Sequence, residues 1–227
     1  CRGTCIVCKK GPPAEAVIFT FSPDISNVTL TLPTASYYGI TADYTVDWGD
    51  GTIDKNLTTF SPTHTYAEAG SYDVTITGSL GRLGRISSSN IKYVTQIKQL
   101  NLNSIRQFSS TFKNGTNITG TIPELPLNLE YAGDMFYECK NLTGRIPKFP
   151  PKLDYGGGMF SKCGGLTGNI PALPESLTNG DGMFTDCTGL TGNIPVLPKS
   201  LSSAGSRIGT TARASREGMF GGCSGLT

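Results

Sequence analysis

One histidine and seven cysteines are the residues with the most evident chemistry in this chain of 227. A catalytic His64 would need a nucleophile beside it, and no Ser or Cys is set there by any motif. No H-E-x-x-H, nucleophile elbow, P-loop or G-x-G-x-x-G at a strand–helix junction is present. Acidic residues are numerous enough for a glycosidase pair, yet no motif positions two of them. The expectation is a protein that is not an enzyme. Asp47, Asp50 and Asp54 bring together the oxygen ligands that a hard cation prefers, but their spacing lacks the full ladder of a calcium loop. They read as turn residues, and no metal or cofactor is expected.

The cysteines fall into two groups. Cys1, Cys5 and Cys8 crowd the N-terminus, while Cys139, Cys163, Cys187 and Cys223 recur at matching places further on. An odd total leaves at least one without a partner in the chain. Three thiols and a distant His64 make a poor zinc site, which wants four ligands. The first group is expected to hold one local disulfide plus a free or lipidated cysteine, with the pairing open. A chain that begins at Cys fits a mature bacterial lipoprotein acylated at Cys1, a possible lipid anchor, although Arg2 is not typical of that class. The alternative is that residue 1 is simply where this chain begins. The second group is expected to pack as buried thiols, because free Cys behaves as a small hydrophobe.

The elements that carry these residues are written in the composition and the periods. Gly 29 and Pro 14 punctuate a chain that is 37% hydrophobic and 16% charged, with a formal net charge of +2. That balance excludes a dedicated nucleic-acid surface, which needs a dense basic patch. No apolar run reaches the roughly 20 residues of a bilayer span, so no transmembrane segment is expected. Between about residues 13 and 78 the pattern is that of short strands. Ala16–Phe21 is apolar and β-branched, and Val28–Leu32, Thr45–Trp48 and Tyr72–Thr77 alternate apolar with polar. Turn signals separate them at Pro23-Asp24, Pro33, Gly49-Asp50-Gly51 and Ala69-Gly70.

One stretch is more specific: Val46-Asp47-Trp48-Gly49-Asp50-Gly51-Thr52, then His64-Thr65-Tyr66, then Gly70-Ser71-Tyr72-Asp73-Val74. It resembles a PKD domain, an immunoglobulin-like sandwich of extracellular and surface proteins. The resemblance implies structural roles for Trp48, Asp50, His64 and Tyr66. Trp48 is expected to fill the inter-sheet core. Gly49 and Gly51 permit positive φ in a tight turn, and the Asp50 side chain can accept backbone amides there.

The remainder is repetitive. Phe112, Phe136, Phe160 and Phe184 follow one another at 24 residues, and Phe220 comes 36 later. The unit M-F-x-x-C-x-x-L-T-G-x-I-P recurs at Met135, Met159 and Met183, with a degenerate copy at Phe112 and a last copy from Met219 to Thr227. It resembles bacterial surface leucine-rich repeats of the BspA-like type, and its L-T-G-x-I-P portion looks like extracellular plant-type repeats. A single unit is too small to bury its apolar face, so neighbours must stack and share a core. The strand of each coil is expected near the Met-Phe pair. Leu142, Leu166 and Leu190 should point inward, with Phe136, Phe160, Phe184, Cys139, Cys163 and Cys187 structural.

The expected fold is therefore mainly β: a small antiparallel PKD-like sandwich followed by a leucine-rich-repeat solenoid of 24-residue coils. Residues 1–12 form a Cys-rich segment, 13–78 the sandwich, 79–90 a linker and 91–227 the solenoid, which stops inside a repeat. Val94–Leu102 fits its initial cap. A solenoid without a polar cap exposes apolar surface, so the natural protein is expected to continue past Thr227 or be covered there by another chain. An insertion at 205–216 carries Arg207, Arg213 and Arg216, a basic loop suited to an acidic partner.

These modules together imply a protein of the cell surface or extracellular space, acting in adhesion or in binding a protein or glycan on another surface. The alternative is a structural subunit of a surface layer, fibre or phage appendage, meeting neighbouring subunits. Contact residues are expected among those that vary inside the repeat: Tyr131, Tyr137, Glu138, Tyr155, Lys162, Asp181 and Asp186. Asn27, Asn56, Asn114, Asn117 and Asn141 each open an N-x-T sequon, which matters only if the source glycosylates.

Overall fold

The computed structural model describes residues 11–204 and 218–227. Cys1, Cys5, Cys8, Arg207, Arg213 and Arg216 lie outside the described residues, and with them the disulfide, lipid and basic-loop expectations. The described chain is mainly β, with no α-helix among the described residues.

Among the described residues eleven strands follow in order: β1 Val17–Phe21, β2 Val28–Thr31, β3 Thr34–Ala35, β4 Asp43–Asp47, β5 Ile53–Leu57, β6 Thr63–Tyr66, β7 Tyr72–Ser79, β8 Arg82–Leu83, β9 Val94–Gln99, β10 Gly120–Thr121 and β11 Leu142–Thr143. The main sheet is antiparallel and runs β5-β4-β7-β1-β9. The pairs β2-β6 and β3-β8 complete the sandwich. Alternation places the core. Tyr44, Val46, Val74 and Ile76 are buried on one face of the sheet, and Leu30 and Tyr66 meet them from β2 and β6. All five residues of β1 are buried, as the continuous apolar run requires of a central strand. Gly49 is obligatory at its turn, with φ +86, because a Cβ there would strike the backbone of Asp73.

Beyond β9 the 24-residue units stack side by side. A parallel ladder of backbone bridges runs Gln107, Tyr131, Tyr155, Asn179, Ser203. A second runs from Gln96 to Thr119, through β10 and β11, then Gly144 to Leu166, Gly168 to Leu190 and Gly192 to Leu226. Inside lies a column of phenylalanine rings. Phe112–Phe136, Phe136–Phe160, Phe160–Phe184 and Phe184–Phe220 stack at 5.9, 5.7, 5.9 and 5.6 Å between centroids, with interplanar angles of 15° or less. Leu142, Leu166 and Leu190 are fully buried beside them.

Three expectations are corrected. Residues 79–90 are not a linker: β8 lies there, and Leu80, Leu83 and Ile86 are fully buried. The reason is that β8 pairs with β3 on one side and Arg82 bridges Gln107 on the other, so this stretch starts the first ladder. Likewise β9 is not only a cap for the coils but the edge strand of the sandwich sheet, antiparallel to β1. Its free edge receives Thr119, whose amide donates to the Thr95 carbonyl at 2.9 Å. Finally, the Met-Phe pair is a turn, not a strand. Asp134 and Glu138 flank Met135-Phe136 with φ of +54° and +61°, and left-handed residues cannot continue a strand. The turns still zip together, since the Phe136 amide donates to Met159 and the Phe160 amide to Met183.

Candidate binding face

One cluster of polar side chains among the described residues surrounds the Trp48–Gly51 turn. Asp47 accepts the Gly49 amide at 2.9 Å and Asp50 the Thr52 amide at 3.0 Å. Asp54 accepts the Trp48 indole N–H at 2.9 Å. The other Asp50 oxygen meets His64 Nε2 at 2.6 Å, and the His64 ring stacks on Trp48, 5.1 Å between centroids. Tyr66 donates its hydroxyl to the Trp48 carbonyl at 2.9 Å. Each of the three carboxylates thus serves the turn itself. Burial alone would raise the Asp50 pKa, but the Thr52 amide and His64 outweigh it and hold the group below its ordinary value. The Tyr66 hydroxyl is held far above the phenol range, first by burial and then by the nearby Asp50 charge.

The thiols form a second internal device. Cys139, Cys163, Cys187 and Cys223 each donate to a Phe carbonyl of the preceding coil: Phe112, Phe136, Phe160 and Phe184, at 3.1, 3.0, 2.9 and 2.9 Å. Burial pushes Cys139 and Cys187 up to about 12, and Cys163 higher still. Cys139, Cys163 and Cys187 are thereby held as protonated thiols, and only the thiolate is nucleophilic.

One face of the first ladder is open to solvent and carries aromatic rings. There Tyr131 and Tyr155 sit on adjacent coils. Tyr37, from the loop after β3, packs on Tyr131 at 6.3 Å between centroids and donates its hydroxyl to Glu130 at 2.7 Å. Burial first, then that carboxylate, hold the Tyr37 phenol well above its usual range. Two grooves adjoin this tyrosine pair. One, of about 360 Å³, is lined by Ser36, Tyr37, Tyr38 and Gln107. The other, of about 380 Å³, is lined by Ser109, Ser110, Asp134, Tyr155, Asp181 and glycines 133, 157 and 158. The glycines matter: a Cβ on Gly133 would strike the Tyr155 ring, and one on Gly157 would meet Asn179 and Tyr155. Tyr155 therefore lies against a flat glycine floor, 40% exposed.

Among the residues expected from sequence to make contacts, Tyr131, Tyr155 and Asp181 come together on this face. Tyr137, Glu138 and Lys162 form a separate, self-contained group. Lys113 and Lys162 lie over the Tyr137 ring at 4.6 and 5.1 Å, and Lys162 pairs with Glu138 at 2.8 Å. That bond to Glu138 raises the Lys162 pKa. Asp186 lies apart, its carboxylate over Gly222 of the next coil. Sequence reasoning missed Tyr37, Tyr38, Gln107, Asp134 and the serines. The signal was the Tyr37-Tyr38-Gly39 turn, where two adjacent aromatic rings cannot both enter a core. Tyr38 is 97% exposed.

The sequons are accounted for structurally. Asn27, Asn56 and Asn114 occupy left-handed backbone, which Asn tolerates. Asn117 and Asn141 donate across coils to the Lys92 and Thr116 carbonyls, at 2.7 and 2.6 Å.

Comparison with known proteins bears on the sandwich. Residues 16–90 match the PKD domain family, a match that takes in β1 to β8 and stops before β9. No curated protein and no solved structure matches the chain. No helix among the described residues is long and apolar enough to cross a membrane.

Proposed function

We propose that this chain is a non-enzymatic extracellular surface protein that binds a protein or glycan on another surface, in adhesion. The observation that carries the reading is the open tyrosine face. Tyr37, Tyr131 and Tyr155 line up across the sandwich and two successive coils, with polar side chains at both margins. Rigid aromatic anchors rimmed by polar groups are the usual composition of a recognition surface. The PKD-type sandwich supports an extracellular setting. The 24-residue spacing, the buried Phe and Leu columns and the parallel ladders support coils of the leucine-rich-repeat, BspA-like type. The tyrosine face is built jointly by the sandwich and the coils, since no single coil carries all three rings.

The test is a panel of immobilised glycans and matrix proteins probed with the full chain and with its Tyr131→Ala and Tyr155→Ala variants. Binding that falls in both variants is expected. A chain that binds no panel member, or binds with both variants unimpaired, contradicts the reading.

A second reading, a subunit of a surface layer or fibre that meets neighbouring subunits, has one observation of its own. Ile194, Val196 and Leu197 are 46, 90 and 47% exposed, whereas Ile146 and Ile170 at the place of Ile194 are buried. Concentration-dependent oligomers of the full chain, abolished by Val196→Asp, would favour it.

A further inference from the structure

We infer that the two grooves beside Tyr131 form one binding track for a neutral, linear glycan, laid from the sandwich loop onto the coils. This rests on the proposed function and narrows its ligand. Continuity comes from the chain itself: Gln107 lines the first groove, and Ser109 and Ser110, two and three residues on, line the second. Tyr131 links the two, since it packs against Tyr37 of the first groove and bridges on the ladder to Tyr155 of the second.

The chemistry of the lining fits sugars. An aromatic face is electron-rich, so it attracts the weakly positive C–H groups on the flat side of a pyranose ring. Tyr38, almost fully exposed, and Tyr155, spread over glycines, offer two such faces. Around them stand hydroxyl, amide and carboxylate groups that exchange hydrogen bonds with sugar hydroxyls: Ser36 and Gln107 in one groove, Ser109, Ser110 and Asp181 in the other. Few well-placed polar groups on an aromatic wall are the pattern of a small-ligand site.

Charge sets the class. The ionic groups that line the two grooves, Asp134 and Asp181, are both acidic. Glu130 is held by Tyr37 and by Arg106 at 3.6 Å, and Asp134 by Lys113 at 2.8 Å. Asp181 is exposed. A polyanionic glycan would meet carboxylates, whereas a neutral one finds acceptors for its hydroxyls.

The experiment titrates the full chain with hexasaccharides of glucose, mannose and N-acetylglucosamine, and with oligogalacturonate as the acidic control. Saturable binding to at least one neutral probe is expected, with none to the acidic one. Tyr38→Ala is the decisive variant, because a ring so exposed contributes little to folding. It should weaken binding about 10-fold or more, as should Tyr155→Ala, while Tyr155→Phe keeps most of it. Three results overturn the inference. One is no binding to any neutral probe; another is tighter binding to the acidic probe. The third is a Tyr155-dependent protein ligand with no saccharide bound, which would leave the broader proposal standing.

Discussion

The Phe19 ring of β1 stands edge-on to the Phe112 ring, with 6.2 Å between centroids and 73° between planes. Through this contact the core of the sandwich runs into the phenylalanine column of the coils. One apolar core therefore extends from Val17 to Met219. The two ladders start in the same way, at β8 and β9. The sandwich does for the first coil what each coil does for the next. It supplies a flat apolar wall and a row of unpaired backbone groups.

Removing a ring from the middle of the column should be costly at both neighbours. Phe160→Ala deletes a buried side chain that stacks on Phe136 and Phe184, and we expect a loss of about 3–5 kcal/mol in urea unfolding. Phe149→Ala should cost less, since that ring is only half-buried against the column.

The buried thiols of the coils should be silent in the native state. Cys139, Cys163 and Cys187 are expected to resist a water-soluble disulfide reagent until the protein unfolds, with half-buried Cys223 labelled first. Peptide mapping of the labelled chain reads each site separately. Cys163→Ala removes both packing and the bond to Phe136, and should cost about 1–2 kcal/mol.

Two neighbouring glycines should respond differently to one methyl group. A Cβ on Gly165 would lie inside van der Waals contact of the Leu142 carbonyl oxygen, so coil-to-coil spacing depends on its absence. Gly165→Ala is expected to cost about 1–3 kcal/mol. At Gly164 the nearest atom is a rotatable Thr188 hydroxyl at 3.1 Å, and Gly164→Ala should be near neutral when the two variants are compared by thermal melting.

Asp50 gives the sandwich an acid limit. Its folded pKa is depressed, so the stabilisation is complete above the unfolded carboxylate value, about 3.9. It is lost as pH falls through the lower folded value. Asp50→Asn should therefore be less stable than the parent by about 1 kcal/mol at pH 7. That gap should close below about pH 4, as read from urea midpoints at each pH.

Much of this was legible in the residues. The phenylalanine spacing announces a stack, because only a shared core can hide one large ring from each identical unit. Alternation in Val28–Thr31 and Tyr72–Ser79 places strands by the same logic. The junction was not legible. Arg82 and Gln96 join the ladders through backbone atoms, which carry no side-chain signature. The Met-Phe turn was only partly flagged: Gly158 and Gly182 stand at positive φ before it, but Asp134, Glu138, Lys162 and Asp186 hold the same conformation without a glycine. The tyrosine face escaped in part because Tyr37 and Tyr131 are 94 positions apart and meet only through the fold.

The continuity of sandwich and coils is tested most directly by native-state hydrogen exchange. The Phe136 and Phe160 amides bond to the next coil, and the Phe19 amide lies in β1, between β7 and β9 of the sandwich sheet. If one core joins them, all three exchange only through global opening, with the same free energy and the same response to denaturant. Exchange of Phe136 and Phe160 at much lower free energy, while Phe19 stays protected, would show two units that fold apart and would contradict the account.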